Sequence, residues 1–374
     1  MAQLELDGRF ERLTQVAESA VGNGVVPGLT VAVGQGPKLR IFSFGTLTGV
    51  GFPLTGVDEN SVYDLASLTK ALCTSLLAMT AVAGGGLRLQ DEVRRWLPRA
   101  PSGVTISQLL SHSSGWPAHV KFYETLLPVA SGVAAPPQEL RKQLLAMVAE
   151  TPTKTNPGEE TVYSDLGFIA LGYVLECVFN TSLDEAFEQQ IAAPLALPSL
   201  RFGTVPEQRG VVAPTEHCSW RNRLILGEVH DQNAWVMGGV AGHAGLFGTA
   251  KDVATLVQSL LRTYAGNPLP NDPVDPNVLR HFWAYKNMNQ STWALGWDRP
   301  SLSGSLAGNL IDRQALGHLA FTGCSIWVDP LTQTQVVMLS NRIHPAVKDD
   351  LRFRKLRPAV MDAVLGDMNY KAPV

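Results

Sequence analysis

Apolar and polar positions follow two periods along this chain. Residues 8–22 place Phe10, Leu13, Val16, Ala17 and Ala20 on one stripe, the spacing of an amphipathic helix, and Gly22-Asn23-Gly24 ends it. Gly28–Val33 (GLTVAV) and Leu39–Gly45 (LRIFSFG) read as strands, with Gly34–Lys38 (GQGPK) as a hairpin turn. From Ser67 to about Leu200 the period is helical, over 68–82, 106–111, 137–149, 164–178 and 182–191. Breaks fall at Gly84-Gly85-Gly86, Pro136-Pro137, Pro152 and Pro157-Gly158. Thr249 is placed to cap a further helix to about Tyr264, with Asp252 in its first turn. Residues 322–328 and 334–340 read as a second strand pair joined at Asp329-Pro330, and a helix near 346–365 closes the chain.

The order is helix, strands, a long helical block, strands, helix. No βα unit of about 30 residues recurs, which argues against a barrel or a doubly wound parallel sheet. The pattern predicts an α+β fold. The N- and C-terminal strands form one antiparallel sheet flanked by helices, and an all-helical lobe is inserted between them. The expected division is a sheet lobe of 1–66 and 201–374 and a mainly helical lobe of 67–200, with a ligand cleft between them. A length of 374 residues suits such a two-part architecture.

Composition narrows the function. Hydrophobic residues make up 45% and charged residues 17%, enough apolar material for a large core and too little charge for a disordered chain. A net charge of −3 gives no footprint for nucleic acid. Cys73, Cys177, Cys218 and Cys324 form no CxxC pair and read as free thiols. The eight histidines show no HExxH or HxH spacing, so neither a metal nor a cofactor is expected. The longest apolar run, Leu72 to Ala83, is interrupted by Thr74, Ser75 and Thr80 and falls short of a membrane span. Glu5, Asp7 and Glu11 stand where a signal peptide needs a basic start and an apolar run. The expectation is therefore a cytoplasmic protein, or a periplasmic one if a leader has been removed.

Three stretches carry candidate chemistry. In Ser67-Leu68-Thr69-Lys70 a lysine follows a serine by three residues, so on a helix both lie on one face. A serine hydroxyl needs a base beside it to act as a nucleophile, and the helix start offers N–H groups to an oxyanion. Of the ten lysines only Lys70 has this spacing. Tyr163-Ser164-Asp165 follows the Asn156-Pro157-Gly158 turn and opens a helix. Tyr163 could relay a proton and Asp165 orient a cation. Gly317–Gly323 (GHLAFTG) leads into the strand Ser325–Val328, whose edge could supply an oxyanion N–H. Each stretch alone also has a plain structural explanation: a surface helix start, a buried tyrosine beside an N-cap, and a strand entry with a half-exposed histidine.

Together and in this order the three resemble the serine β-lactamase and penicillin-binding protein family, in its class C-like branch of esterases, D-aminopeptidases and D,D-peptidases. That family reads S-x-x-K, then Y-x-N or Y-S-D, then K-T-G or H-x-G. Leu109–Gly115 (LLSHSSG), Gly239–Gly248 (GVAGHAGLFG) and Ser340–Pro345 (SNRIHP) resemble the same branch, and the likeness runs from about Val26 to Arg342. The resemblance implies that Ser67 is acylated and that Lys70 accepts or shuttles its proton. It implies that Tyr163 acts as general base with Lys70 and then as acid toward the leaving group. The N–H groups of Ser67 and Phe321 would form the oxyanion hole, and His318 would take the place of the lysine in K-T-G, near a substrate carboxylate or Tyr163.

Two departures alter that picture. Asp165 stands where β-lactamases usually carry asparagine. A carboxylate cannot donate an N–H, so it is expected to pair with Lys70, hold it charged and leave Tyr163 as the base. His318-Leu319-Ala320 lacks the threonine hydroxyl of H-T-G and places Ala320 where glycine is usual, which argues against β-lactamase activity. The glycines of 238–248 lack the lysine of a phosphate loop and read as close backbone packing behind the cleft. His112 reads as a structural hydrogen-bonder. Trp116, Trp220, Trp235, Trp293 and Trp297 are candidates for core or cleft wall.

The expected activity is a serine hydrolase working through an acyl-enzyme. Its substrate would be a small ester, or an amide or short peptide such as a D-amino-acid-containing cell-wall fragment. The alternatives are a carboxylesterase, a D,D-carboxypeptidase or β-lactamase, and a binding protein that keeps the fold.

Overall fold

Five strands from the two ends of the chain meet in one antiparallel sheet. In the computed structural model, which describes residues 6, 8–49, 55–133, 136, 138–204, 211–285, 291–348 and 351–373, their spatial order is Lys38–Gly45, Gly28–Gln35, Thr334–Ser340, Ser325–Asp329, Leu316–Leu319. The first strand pairs with the last, from Leu29 opposite Ser340 to Gln35 opposite Thr334. This is the joining of chain ends that the order of elements predicts.

The side-chain period of two divides the sheet between two cores. Leu29, Val31, Val33, Val336 and Met338 pack with Leu13, Ala17, Phe353, Leu356 and Val360 of the helices Glu11–Gly22 and Leu351–Asp367. Ala32, Ile326, Val328, Val337 and Leu339 face the other way, into a core shared with Val253, Leu256 and Val257 of the helix Ala250–Tyr264 and with the helical segments. Because both faces are covered, Gly28–Gln35 is buried almost throughout, while the edge strand Lys38–Gly45 is half-buried. The Asp367 carboxylate accepts the backbone N–H groups of Arg12 and Leu13, so the last helix caps the first. Thr249 caps its helix as predicted, its hydroxyl accepting from Asp252 N–H.

The helical segments that answer to the expected ones are Lys70–Ala83, which opens with a π turn over Lys70–Thr74, then Ile106–Leu110, Glu139–Glu150, Asp165–Phe179 and Leu183–Ala192. Each begins within two residues of the expected position. No single helix among the described residues is long and apolar enough to cross a membrane. Pro137 at a predicted break, Asp349 and Asp350 in the predicted terminal helix, and Glu5 and Asp7 lie outside the described residues.

The structure differs from the pattern in several places. The expected strand entry at 317–323 is a hairpin: Leu316–Leu319 is itself a strand, paired with Ser325–Asp329, and 320–324 is the turn. Gly317 sits there because a Cβ would fall 2.3 Å from the Trp327 ring. A small sheet of Tyr63–Asp64, Leu246–Gly248 and Arg201–Phe202 was not signalled by any run of strand length. The helices Phe122–Leu126, Gln232–Val236 and Pro276–Ala284 are likewise additional, as is the short pair His217–Cys218 with Arg223–Leu224.

The glycine-rich stretch is the backbone wedge expected of it. A Cβ on Gly242 would lie 2.1 Å from Phe168 O and 2.9 Å from Gly172 Cα. Gly242→Ala is therefore expected to destabilise the protein by about 1–3 kcal/mol through overpacking. Gly22→Ala, helical with nothing within 4 Å, should be neutral or stabilising. Urea titration of both variants checks this, and equal midpoints would contradict the wedge.

Candidate active site

Ser67 lies at the turn into the Lys70–Ala83 helix, half-buried among buried neighbours. The turn is built by Asp64, whose two carboxylate oxygens accept Ala66 N–H at 2.8 Å and His230 N–H at 2.7 Å. Ala66 has φ 44°, a left-handed conformation that costs a non-glycine residue energy and marks a constrained corner. Thr69 Oγ1 closes the turn onto Ala66 O at 2.6 Å.

Three residues on, Lys70 is fully buried. Its ammonium has three donors and three acceptors: Ser67 Oγ at 3.0 Å, His243 O at 3.1 Å and Asp165 Oδ1 at 2.8 Å. Its Nζ also lies 4.8 Å from the Tyr163 ring centroid. Burial works against the charge, but Asp165 and Tyr163 outweigh it and hold Lys70 above the ordinary lysine range. Asp165 follows the same logic with the sign reversed. Burial would raise it, and Lys70, His119 and His243 hold it well below the usual carboxylate range. The expected Lys70–Asp165 pair is thus present.

Asp165 is the first residue of the helix Asp165–Phe179, and Ser164 is its N-cap. Ser164 is fixed in turn: its N–H donates to His112 Nδ1 at 3.0 Å and its hydroxyl to Pro117 O at 2.8 Å. His112, at φ 56°, is the structural hydrogen-bonder expected and also part of the wall. Its ring centroid is 4.6 Å from Tyr163, 4.3 Å from Trp293 and 5.0 Å from Phe168. Burial, and then Lys70, hold it far below the ordinary imidazole range. Burial raises the Tyr163 phenol, and the neighbouring Lys70 charge acts against that rise.

His318, on the edge strand Leu316–Leu319, is buried, 6.1 Å from Tyr163 and 5.5 Å from Trp293 between ring centroids. Its Nδ1–H donates to Leu319 O at 2.9 Å, which leaves Nε2 as the unprotonated nitrogen. Burial, and then Lys70, push it down to about 3. The turn after it is tied to the nucleophile's segment, since Thr322 Oγ1 donates to Asp64 O at 2.8 Å. Phe321 lies in that turn, about half exposed, its ring stacked on His230 at 5.5 Å. Ala320 is buried without a positive φ, so a Cβ is accommodated where glycine was expected.

Ser67, Lys70, Tyr163, Asp165 and His318 are therefore brought together, with the Phe321 turn anchored beside them. Trp293 joins this wall, whereas Trp116, Trp235 and Trp297 are buried in the core. Among the described residues no three His, Cys, Asp or Glu side chains are grouped to hold a metal ion. Sequence reasoning missed three members, His119, Asp231 and His243. His119 Nδ1 lies 3.1 Å from Asp165 Oδ2, and Asp231 Oδ1 lies 2.9 Å from His243 Nε2. Burial would raise Asp231, and its contact with His243 brings it down to about 2. His243 lay within a stretch read as packing. Nothing in the spacing of His119 or Asp231 announces its partner.

The family model described as Beta-lactamase matches residues 13–360. A protein of Escherichia coli strain K12 named "Putative D-alanyl-D-alanine carboxypeptidase" is 30% identical over 319 residues, covering 77% of this chain and 71% of that one. One of the same name from Salmonella enteritidis PT4 is 30% identical over 348 residues, covering 83% and 77%. Among solved structures, EstCE1, described as a hydrolase with promiscuous acyltransferase activity, superposes with a TM-score of 0.74 at 22% identity, over 95% of this chain and 97% of that one. The octameric penicillin-binding protein homologue from Pyrococcus abyssi gives 0.71 at 20% identity, over 96% and 78%. These two structures show a shared fold.

Asp165→Ala would leave a buried ammonium without its counter-charge, and an expected loss of about 3–5 kcal/mol at neutral pH follows. The folded Asp165 lies below its unfolded value near 3.9, so its contribution is complete above about pH 5 and is lost as pH falls. Urea unfolding across pH should show the gap between wild type and variant narrowing in acid. A gap that stays constant down to about pH 3 contradicts the pairing.

Proposed function

The chain belongs to the beta-lactamase family of serine hydrolases, and on that premise we propose that it cleaves a small ester or amide through an acyl-enzyme on Ser67. The observation that carries this reading is the ammonium of Lys70 donating to Ser67 Oγ at 3.0 Å. A lysine that donates to the serine oxygen cannot also take its proton, so the Ser67 hydroxyl proton is directed elsewhere. Tyr163, whose ring lies 4.8 Å from Lys70 Nζ and whose phenol is electrostatically coupled to Lys70 and Ser67, is the group in reach.

Ser67 Oγ attacks the carbonyl carbon as its proton passes to the Tyr163 oxygen. The oxyanion is held by the N–H groups of Ser67 and Phe321. The intermediate collapses, the bond to the leaving alcohol or amine breaks, and Tyr163 returns the proton to that group. Water then repeats the sequence on the ester of Ser67. At rest the array holds one proton too many, because Lys70 is an ammonium and the Tyr163 phenol is raised. One proton has to leave before catalysis begins.

Two substrate classes follow from the relatives. The curated relatives' name points to a short peptide ending in D-amino acids, and EstCE1 to an ester. One observation favours the ester: His318 is uncharged and no threonine hydroxyl stands beside it, so it offers no cation to a substrate carboxylate.

Ser67→Ala should abolish turnover of p-nitrophenyl butyrate. Tyr163→Phe should lower kcat by about 10²–10⁴, and wild-type kcat/KM should keep climbing with pH above neutrality, because the proton that has to leave is held by groups raised above their ordinary ranges. Full activity in Tyr163→Phe would remove it as the base, and Ser67-independent turnover would sink the acyl-enzyme. Release of D-alanine from a D-Ala-D-Ala peptide, faster than ester hydrolysis, would select the peptide substrate.

A further inference from the structure

Asp165 meets two basic side chains at once. Its Oδ1 meets the buried Lys70 at 2.8 Å, and its Oδ2 meets His119 Nδ1 at 3.1 Å. Side-chain exposure rises along this line, from 0% at Lys70 through 17% at Asp165 to 39% at His119. His119 is therefore the one member of the line that exchanges protons readily with solvent. We propose that His119 is a positioning residue that sets the proton count of the Ser67, Lys70 and Tyr163 array through Asp165, making it the pH gate of the site. This rests on the hydrolase reading above.

With His119 protonated, the single negative charge of Asp165 is shared between two cations. With His119 neutral, the whole charge acts on Lys70 and repels any anion forming on Tyr163. Whether Lys70 or Tyr163 gives up the extra proton, a cation at position 119 makes the loss easier and a neutral residue makes it harder. The charged groups facing His119 are Asp165 on its helix, Asp231 at the cap of Gln232–Val236, and Lys121 on its own loop. Behind Asp165 stand Lys70 and His243. The hydrogen bond to Asp165 leads in raising the His119 imidazole above its ordinary range.

The experiment compares the pH profile of kcat/KM for p-nitrophenyl butyrate in wild type, His119→Gln and His119→Arg. Glutamine keeps a donor for Asp165 and loses the charge, and arginine keeps the charge at every pH. The acid limb should move up in His119→Gln and down in His119→Arg, each by roughly half to one pH unit, with little change in KM. Shifts in one common direction, or none in folded variants, would overturn the proposal, because a merely structural contact does not respond with opposite signs. NMR titration of the His119 imidazole in the wild-type chain gives a readout independent of turnover. Its midpoint should lie above about 6.5, and a midpoint at or below that value overturns the coupling. A wild type without Ser67-dependent turnover would instead sink the hydrolase reading and leave the coupling to be judged by the imidazole alone.

Discussion

A fully buried ammonium has to be neutralised and hydrogen-bonded, and the centre of this structure is arranged around that requirement. Moving an isolated charge of this size out of water costs several kcal/mol even after relaxation. Lys70 meets the cost with one acceptor per donor, and the three acceptors come from three separate segments: its own helix start, the Asp165 helix and the glycine-rich stretch. Displacing any of them leaves a donor or a charge uncompensated in low dielectric. The lysine therefore fixes the relative positions of the segments that carry the chemistry.

The glycines follow from the same constraint. For His243 O to reach Lys70, the backbone at Gly242 has to pass between Phe168 and Gly172 with no side chain on either glycine. Thr74 Oγ1 holds Gly242 O at 2.6 Å and keeps that passage in register with the helix carrying Lys70. Gly296 has a matching role on another side, since a Cβ there would fall 1.7 Å from Ser75 Oγ, next to the π turn after Lys70. A widened turn directly after a working residue is a common way for a helix to re-aim a side chain. Here it accompanies close backbone approach on two sides.

How much of this was legible in the sequence depended on the range of the interaction. Ser67 and Lys70 are joined by helix geometry alone, so a spacing of three was enough to pair them. Asp165 was readable through chemistry, because a carboxylate in place of an amide needs a cation. His119 lies 46 residues from Asp165, and Asp231 is the cap of a five-residue helix too short to show a period. Their partners are created by tertiary packing, which leaves no periodic trace. The strand Leu316–Leu319 was hidden for a different reason. Gly317 and His318 weaken the strand pattern, yet the glycine makes room for Trp327 and the histidine faces the site. The local rule fails where position and function override propensity.

The protonation states also constrain recognition. His112 and His318 both flank Tyr163 and both are held neutral, chiefly by burial and then by Lys70. Their hydrogen bonds set opposite tautomers. His112 accepts Ser164 N–H at Nδ1 and so carries its proton on Nε2, whereas His318 donates from Nδ1 and leaves Nε2 bare. Both Nε2 atoms are buried, without a hydrogen-bond partner among the described residues. Unpaired buried polar atoms cost energy unless something meets them, so this wall retains one donor and one acceptor without a fixed charge. Lys70 is committed to Asp165 and both imidazoles are neutral, so none of these three groups presents an unpaired charge. That is the setting in which an ester or amide, polar at both of its heteroatoms and neutral overall, loses least on leaving water.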